Sequence, residues 1–404
     1  MSAGVRQRPT PRRRPSAVRV ALVGANGHGR VHRRNIARLA DLGELRLVAV
    51  ADVRPVEPDP PLPEGVRVFT DHRELLAVTH PDVVVVCTPP HTHLAIALDA
   101  VRAGADVLLE KPPVLSLAEH SRLTDALVAT GRVGQVGFQA LGSAALGRLE
   151  STVRSGALGR LTGIATMGCW QRDDAYYARA PWAGRRTVDG RPVLDGALVN
   201  PFAHALMQCL AVAEAAGAGP PVRIAVERYR TRPIEVDDTT VARVTLHSGL
   251  VVLAAVTLAG EEFVAGDVVV TGSAGRAVLE YPTDRLTVPG EPAREVPGRV
   301  DLLENLVAHR RDPAGVPLIA PLARTAPFTA VAQALAGAAA PALLDGDRVV
   351  SIGKPPARVR SIRGVNAVLR QAVAGLALPS ELGVPWAVRP WTENLLQTTE
   401  EPVR

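Results

Sequence analysis

The chain has 404 residues, 47% apolar and 21% charged, with a formal net charge of +6. That length exceeds a single hydrophobic core and predicts two domains, and the composition excludes disordered and fibrous classes. No uninterrupted apolar run reaches the ~18 residues of a membrane helix; the Ala-rich stretch from Phe328 to Leu344 comes closest and is broken by Gln333 and Pro341.

Residues 1–16 read as a disordered basic arm, with Arg6, Arg8, Arg12, Arg13 and Arg14 set among prolines and no apolar core of a secretory signal. A solvated tail is expected there rather than a nucleic-acid or membrane contact. The three cysteines, Cys87, Cys169 and Cys209, lack metal-ligand spacing and read as small buried hydrophobes in a reduced, cytoplasmic setting. Lysine is almost absent: Lys111 and Lys354 are two of 46 basic residues. Arginine stays protonated, whereas a partly buried lysine can lose its proton near neutrality. A lysine beside Glu110 at a strand end therefore marks a place where a proton moves.

Residues 17–138 predict a dinucleotide-binding domain. Val18 to Val23 is β-prone, Gly24-Ala25-Asn26-Gly27-His28-Gly29 is a glycine-rich turn, and Arg30 to Leu42 is helical. Strand, turn and helix in that order bring backbone N–H groups to a pyrophosphate. Asn26 stands where G-x-G-x-x-G has its middle glycine and is expected to tolerate a left-handed backbone. A second strand, Leu45 to Ala51, ends in Asp52, 23 residues after Gly29, where a carboxylate meets the adenosine ribose hydroxyls. Asp52 favours NAD, while Arg30 and Arg54 leave NADP open. Strand-like Val66 to Phe69, a cap at Asp71, the apolar run Val83 to Cys87, a helix from Thr88-Pro89 to Gly104, the strand Val107 to Leu109, a cap at Ser116 and the strand at Gln135 complete the alternation. Such units build a parallel sheet with helices on both faces and ligands at the carboxyl ends of its strands. His91 and His93 lack the further ligands a metal needs, so no metal is expected.

Residues 139–345 predict an α+β domain. Strands are expected at 161–168, 222–230, 239–247, 251–258, 268–271 and 277–281, with a hairpin at Ser248-Gly249, giving a large, open, mainly antiparallel sheet. Between them, residues 170–191 gather Trp170, Arg172, Tyr176, Tyr177, Arg179 and Trp182 in a chain with 3% aromatics. Aromatic faces and forked donors suit a sugar ring or a carboxylate; a solvated loop pinned to the sheet fits equally. Residues 346–404 form a C-terminal extension, with one more helix expected over 358–374.

The elements Thr88-Pro89-Pro90-x-x-His93, Ala103-Gly104, Glu110-Lys111-Pro112, Gly137-Phe138-Gln139, Ser155-Gly156-x-Leu158-Gly159 and Val236-Asp237-Asp238-Thr239 together resemble the Gfo/Idh/MocA family, the glucose–fructose oxidoreductases and inositol dehydrogenases, over roughly residues 17–340. The resemblance implies an NAD(P)-dependent dehydrogenase acting on a hydroxyl carbon of a sugar, cyclitol or related polyol. It implies cofactor contacts at Gly24, Asn26, Gly27, His28, Gly29, Asp52, Thr88, Pro89, His93, Glu110 and Lys111, catalytic roles for Lys111 and His204, and a homo-oligomer through the second domain's sheet. Substrate contacts are expected from Asn200, Tyr176, Arg172 and Trp182. The family's D-x-x-x-H element departs here: Asn200 replaces the aspartate, followed by Pro201-Phe202-Ala203-His204. Asn200 before Pro201 also reads as a helix N-cap. Asp195 lies close enough in sequence to compensate for the lost carboxylate. Two alternatives to a dehydrogenase stand beside it: a glycoside-cleaving enzyme that uses NAD transiently, and a cofactor-sensing regulator without turnover.

Overall fold

In the computed structural model, residues 17–395 are described; the expected arm at 1–16 lies outside them. The first sheet takes β1 (Val18–Val23), β2 (Leu45–Ala51), β3 (Arg67–Phe69), β4 (Val83–Val86), β5 (Asp106–Leu109) and β6 (Gly134–Val136), with α1 (Gly29–Asp41), α2 (His72–Thr79), α3 (Pro90–Arg102) and α4 (Leu117–Thr130) as crossovers. All pairings are parallel, in the order β3-β2-β1-β4-β5-β6. The chain reverses direction across the sheet between β1 and β4, which opens a crevice at their carboxyl ends. The continuous valines of β4 are buried on both faces, as a doubly covered strand requires. The caps fall as expected: Asp71 accepts from the Arg73 N–H at 2.7 Å and Ser116 from the Glu119 N–H at 3.2 Å.

Beyond α5 (Ala144–Arg154) comes the long strand β7 (Leu161–Gln171), then the single turn α6 (Asp174–Tyr177), the small hairpin β8 (Thr187–Val188) and β9 (Arg191–Pro192), and α7 (Ala203–Ala215). The second sheet is completed by β10 (Pro221–Arg230), β11 (Thr239–Leu246), β12 (Val251–Thr257), β13 (Ala259–Gly272), β14 (Gly275–Glu280), β15 (Arg285–Thr287) and β16 (Arg294–Glu295). From β16 to β10 its order is β16-β15-β14-β13-β7-β12-β11-β10, and over that span it is antiparallel apart from the β7–β12 pair. Val251 follows Ser248-Gly249 as a hairpin, and β13 is longer than the sequence implied because its bulges carry it past the buried stretch 268–270.

α8 (Leu302–Arg311) crosses the expected domain boundary. Arg310 bonds Asp106 and reaches Asp82 at 3.0 Å, and Ala320 N–H donates to the Gln135 side chain at 3.1 Å, so this segment returns to the first sheet. α9 (Ala326–Gly337) packs against α4 and α7 between the two sheets.

The two-residue strand β17 (Ala342–Leu343) pairs parallel with β10, and the C-terminal extension then holds the hairpin β18 (Val349–Ile352) and β19 (Val359–Ile362), α10 (Val365–Gly375) and β20 (Trp391–Asn394), which pairs antiparallel with β10. The helix expected over 358–374 is thus strand and then helix, broken at Gly364 with φ 72°. Val365, Leu369 and Ala372 of α10 bury Met167, Leu253 and Ala255 on the sheet face away from α7. The sheet face expected to receive a second copy is therefore covered by this chain's own residues.

Candidate active site

The glycine turn is fixed by close packing at two places. Gly24 has φ 89°, and a Cβ there would lie 2.1 Å from the Cys87 carbonyl oxygen. A Cβ on Gly29 would lie 2.0 Å from the Gly24 oxygen. Both positions let β1, β4 and the first turn of α1 close on one another. Gly27 differs: at φ 55° it faces nothing within 4 Å, which is the open side where a ligand backbone approaches. Asn26 needs no left-handed backbone, contrary to expectation. Its side chain instead donates to the Pro55 oxygen at 3.0 Å and accepts from the Glu57 N–H at 2.8 Å, tying the turn to the loop after β2. Asp52 accepts from Ala25 N–H, Asn26 N–H and Arg54 N–H, each at 3.0 Å. The carboxylate is so held at the rim of the crevice, beside the turn. The open Gly27 face, the N-terminal end of α1 and a carboxylate at the end of β2 fit a dinucleotide.

At the end of β4, Thr88 and Thr92 share a 2.6 Å hydroxyl hydrogen bond and Thr92 donates to the Pro89 oxygen. His93 is 1% exposed, with its ring nitrogens 2.9 Å from the Pro112 oxygen and 2.7 Å from the Thr88 oxygen. It clamps the ends of β4 and β5 together through both ring nitrogens.

Glu110 ends β5 and is buried. Its Oε1 lies 2.9 Å from His32 Nε2 and 3.5 Å from His28 Nε2, and accepts from Gln139 at 3.3 Å. Burial alone would raise its pKa, but the hydrogen bonds from His28 and His32 hold it well below the ordinary carboxylate range. The same bond to Glu110 raises His28 against the opposing effect of burial. The three donor atoms lie within 4.8 Å of one another, a spacing a metal ion can bridge, but the hydrogen bonds already account for their arrangement. His32 escaped the sequence reading; its signal was the i, i+4 spacing from His28 on the first turn of α1.

Lys111 reaches across to the second domain. Its Nζ donates to the Asn200 main-chain oxygen at 2.9 Å and to Asn200 Oδ1 at 2.6 Å. The Asn200 amide nitrogen donates to Asp195 Oδ1 at 2.5 Å. Asp195 also accepts from the Gly184 N–H at 2.8 Å. Burial raises Asp195, opposed by Arg179, and burial lowers Lys111, opposed by the charge of Glu110. The N-cap expectation for Asn200 fails: α7 begins at Ala203 after Phe202, with no side-chain cap. Asn200 lies in the preceding turn because its side chain is committed to Lys111 and Asp195, so it shares no helix face with His204.

His204, on the first turn of α7, stands 5.9 Å from the ring of Phe138 and 5.9 Å from that of Tyr281. Its Nδ1 is buried without a hydrogen-bond partner among the described residues. Burial, with the charge of Lys111 second, pulls its pKa down to about 3. Tyr281 comes from the far strands of the second sheet, and no spacing in the sequence pointed to it.

The aromatic cluster is organised around Arg179, whose guanidinium lies 3.8 Å from the Tyr176 ring centroid and 4.6 Å from that of Trp182. Arg172 sits 4.8 Å from Trp170 and 5.1 Å from Tyr176. Tyr176 and Trp182 thus support Arg179, and through it Asp195 and Asn200.

A profile of the GFO_IDH_MocA family, described as oxidoreductase family, NAD-binding Rossmann fold, matches residues 18–138. Residues 18–138 are thus similar to the NAD-binding domain of the Gfo/Idh/MocA family. Among its relatives, inositol 2-dehydrogenase 4 of Saccharopolyspora erythraea is 35% identical over 144 residues, 35% of this chain and 43% of that one. D-glucoside 3-dehydrogenase of Escherichia coli is 31% identical over 150 residues, 36% and 42% of the respective chains. The match therefore spans less than half the length of these curated relatives. Solved structures extend the likeness of fold to both domains. The WlbA dehydrogenase of Bordetella pertussis, in complex with NADH and UDP-GlcNAcA, shares 23% identity at a TM-score of 0.64, over 81% of this chain and 100% of that one. The scyllo-inositol dehydrogenase of Lactobacillus casei shares 18% at 0.60, over 79% and 95%. Among the described residues, no helix is long and apolar enough to cross a membrane.

Proposed function

We propose that the protein transfers hydride between NAD and a secondary hydroxyl or keto carbon of a sugar, cyclitol or related polyol. The observation that carries this is the Lys111 amine, set at the carboxyl end of β5 and met from the second domain by Asn200, with His204 near enough to feel its charge. The family's NAD-binding domain and relatives named for inositol and glucoside dehydrogenation support the same reading. NAD would lie with its pyrophosphate against Gly27 and the first turn of α1 and its adenosine ribose on Asp52, whose charge disfavours a 2′-phosphate. When bound, NAD supplies hydride acceptance and donation; the protein supplies position and electrostatics. Lys111 and His204 are the groups placed to meet the reacting hydroxyl, and Arg172 is the candidate for a further substrate contact. A cytoplasmic setting suits the three unpaired cysteines.

The test is a nicotinamide-absorbance screen of sugars, cyclitols and sugar acids with NAD and NADP. Reduction of NAD by at least one of them is expected, with turnover falling roughly 10²–10⁴-fold in Lys111→Arg, which keeps the charge but cannot give up a proton near neutral pH. Near-normal turnover in that variant, or no reduction across the panel despite bound NAD, overturns the proposal.

A further inference from the structure

We propose that the substrate carries an oxyanion, a carboxylate or a phosphate, and that Arg172 is the residue that takes it. The inference deepens the dehydrogenase reading and rests on it.

Most cations of the loop after β7 are already committed. Arg179 donates to Asp195 at 2.9 Å, Arg185 to Glu235 at 3.2 Å, and Arg186 to the main-chain oxygens of Ala336 and Ala338. Arg172 is different. Its side chain donates to the Gln171 main-chain oxygen at 3.3 Å, and its Nε is buried without a partner among the described residues. The acids beside it are taken. Asp173 accepts from the Tyr176 N–H at 2.9 Å. Asp174 is shared between Arg232 at 3.1 Å and Arg358 of the C-terminal hairpin at 2.8 Å. Asp195 is held by Arg179, the Gly184 N–H and Asn200. A half-buried guanidinium whose fork meets no carboxylate is short of the acceptors it is built to bind.

The frame around Arg172 is fixed before any ligand arrives. Its main-chain N–H donates to the Leu258 oxygen at 3.1 Å, and its own oxygen accepts from Arg232 Nη2 at 2.7 Å. The guanidinium lies 4.8 Å from the Trp170 ring centroid and 5.1 Å from that of Tyr176. An arginine held this way loses little freedom on binding, and its planar fork matches two oxygens at once.

Alternation along β7 sets which side it serves. Ala165, Met167 and Cys169 pack in the cluster with α10. On the opposite face a Cβ at Gly168 would strike Phe202, and Trp170 packs on Phe202 at 4.5 Å between ring centroids. The guanidinium over Trp170 is therefore tied to the α7 side, where His204 follows Phe202 by two residues. Tyr176 is shared by Arg172 and Arg179, and Arg179 leads through Asp195 and Asn200 to Lys111. Two runs of contacts thus join Arg172 to the end of the site where Lys111 and His204 stand. The other cations there are occupied: Arg299 is bound to Asp284 at 2.8 Å, and Lys111 to Asn200. An oxyanion on Arg172 and a hydroxyl near Lys111 would belong to one molecule, a sugar acid or a sugar phosphate.

The test is calorimetric titration of the NAD-loaded full chain, which needs no turnover. Two series are compared: D-glucose, its uronate and its terminal phosphate ester, and the same forms of D-galactose. At least one anion is expected to bind about tenfold or more tighter than its neutral parent, and the better of uronate and phosphate ester names the group. Arg172→Gln is expected to close that gap, with NAD affinity and the unfolding midpoint kept. Arg172→Lys keeps the charge without the fork and should recover only part of it. Anions bound no tighter than their neutral parents in both series, or a gap that survives Arg172→Gln, overturns the proposal. A gap unaltered in Arg172→Lys overturns it too, since a diffuse positive field would then suffice. Anion binding that depends on Arg172, with no reduction of NAD by the same compound, defeats the dehydrogenase reading and leaves the oxyanion site standing. Reduction of NAD by neutral polyols, with no preference for their acids or phosphates, does the reverse.

Discussion

Arg179 Nη2 lies 2.9 Å from both carboxylate oxygens of Asp195, whose side chain is 1% exposed. This pair anchors the loop that carries Asn200 to Lys111. Replacing one partner strands the other. Asp195→Leu is expected to cost about 2–3 kcal/mol in urea unfolding, less than a fully buried pair because Arg179 stays partly solvated. A change below about 0.5 kcal/mol would show that the pair is ornamental to the fold.

The glycine turn gives a sharper outcome. Gly24→Ala forces a Cβ onto the Cys87 oxygen from a left-handed backbone, so β1 and β4 must separate. Loss of NAD binding by calorimetry and a lowered unfolding temperature are expected together. Gly27→Ala meets no atom and suffers only the φ penalty, of order 1–2 kcal/mol, so its fold should survive while cofactor affinity falls.

Asp52 should set the choice of cofactor. Asp52→Ser removes the charge that opposes a 2′-phosphate, with Arg54 and Arg30 nearby in the chain. The ratio of NAD to NADP affinity is expected to fall about tenfold or more, equivalent to roughly 1.4 kcal/mol. An unchanged ratio would place the ribose elsewhere.

Acid should destabilise the protein through His204. Its folded pKa of about 3 is below the unfolded ~6.5. Between those values the unfolded chain binds the proton and the folded one does not. Its contribution is therefore complete above about pH 6.5 and lost as pH falls toward 3. Glu110, held low, acts with the same sign at lower pH, and His28, held high, acts with the opposite one. His204→Phe should flatten the decline between pH 6.5 and 4 in denaturant midpoints; an identical slope would mean His204 charges freely in the folded state.

The covered sheet face makes a prediction about assembly. A chain ending after Leu344 loses α10 and bares Met167, Leu253 and Ala255. It is expected to self-associate in light scattering, whereas the full chain should not use that face. A full-length oligomer whose contacts, mapped by cross-linking, run through β7 and β12 would contradict this.

Read from the chain alone, the parallel sheet, the glycine turn, Asp52, the strand-end lysine and most strands of the second sheet were already present. Each is encoded locally: an apolar run, a turn glycine, a cap, a fixed spacing. Local patterns could not say what meets Lys111, because its partner Asn200 comes from 89 positions away and is chosen by how two sheets pack. The same holds for Asn200, a helix start by its neighbours yet drawn out of the helix by two stronger bonds. Packing likewise set His93 between the Pro112 and Thr88 carbonyls, a pairing no local pattern specified. Packing also decided that α10 folds back on the sheet, since a helix's apolar stripe records that it must be buried and not against which surface. The sequence by itself thus determined the elements and the amine; only the tertiary structure decided which dipoles surround that amine, because long-range contacts are fixed by the closure of the core.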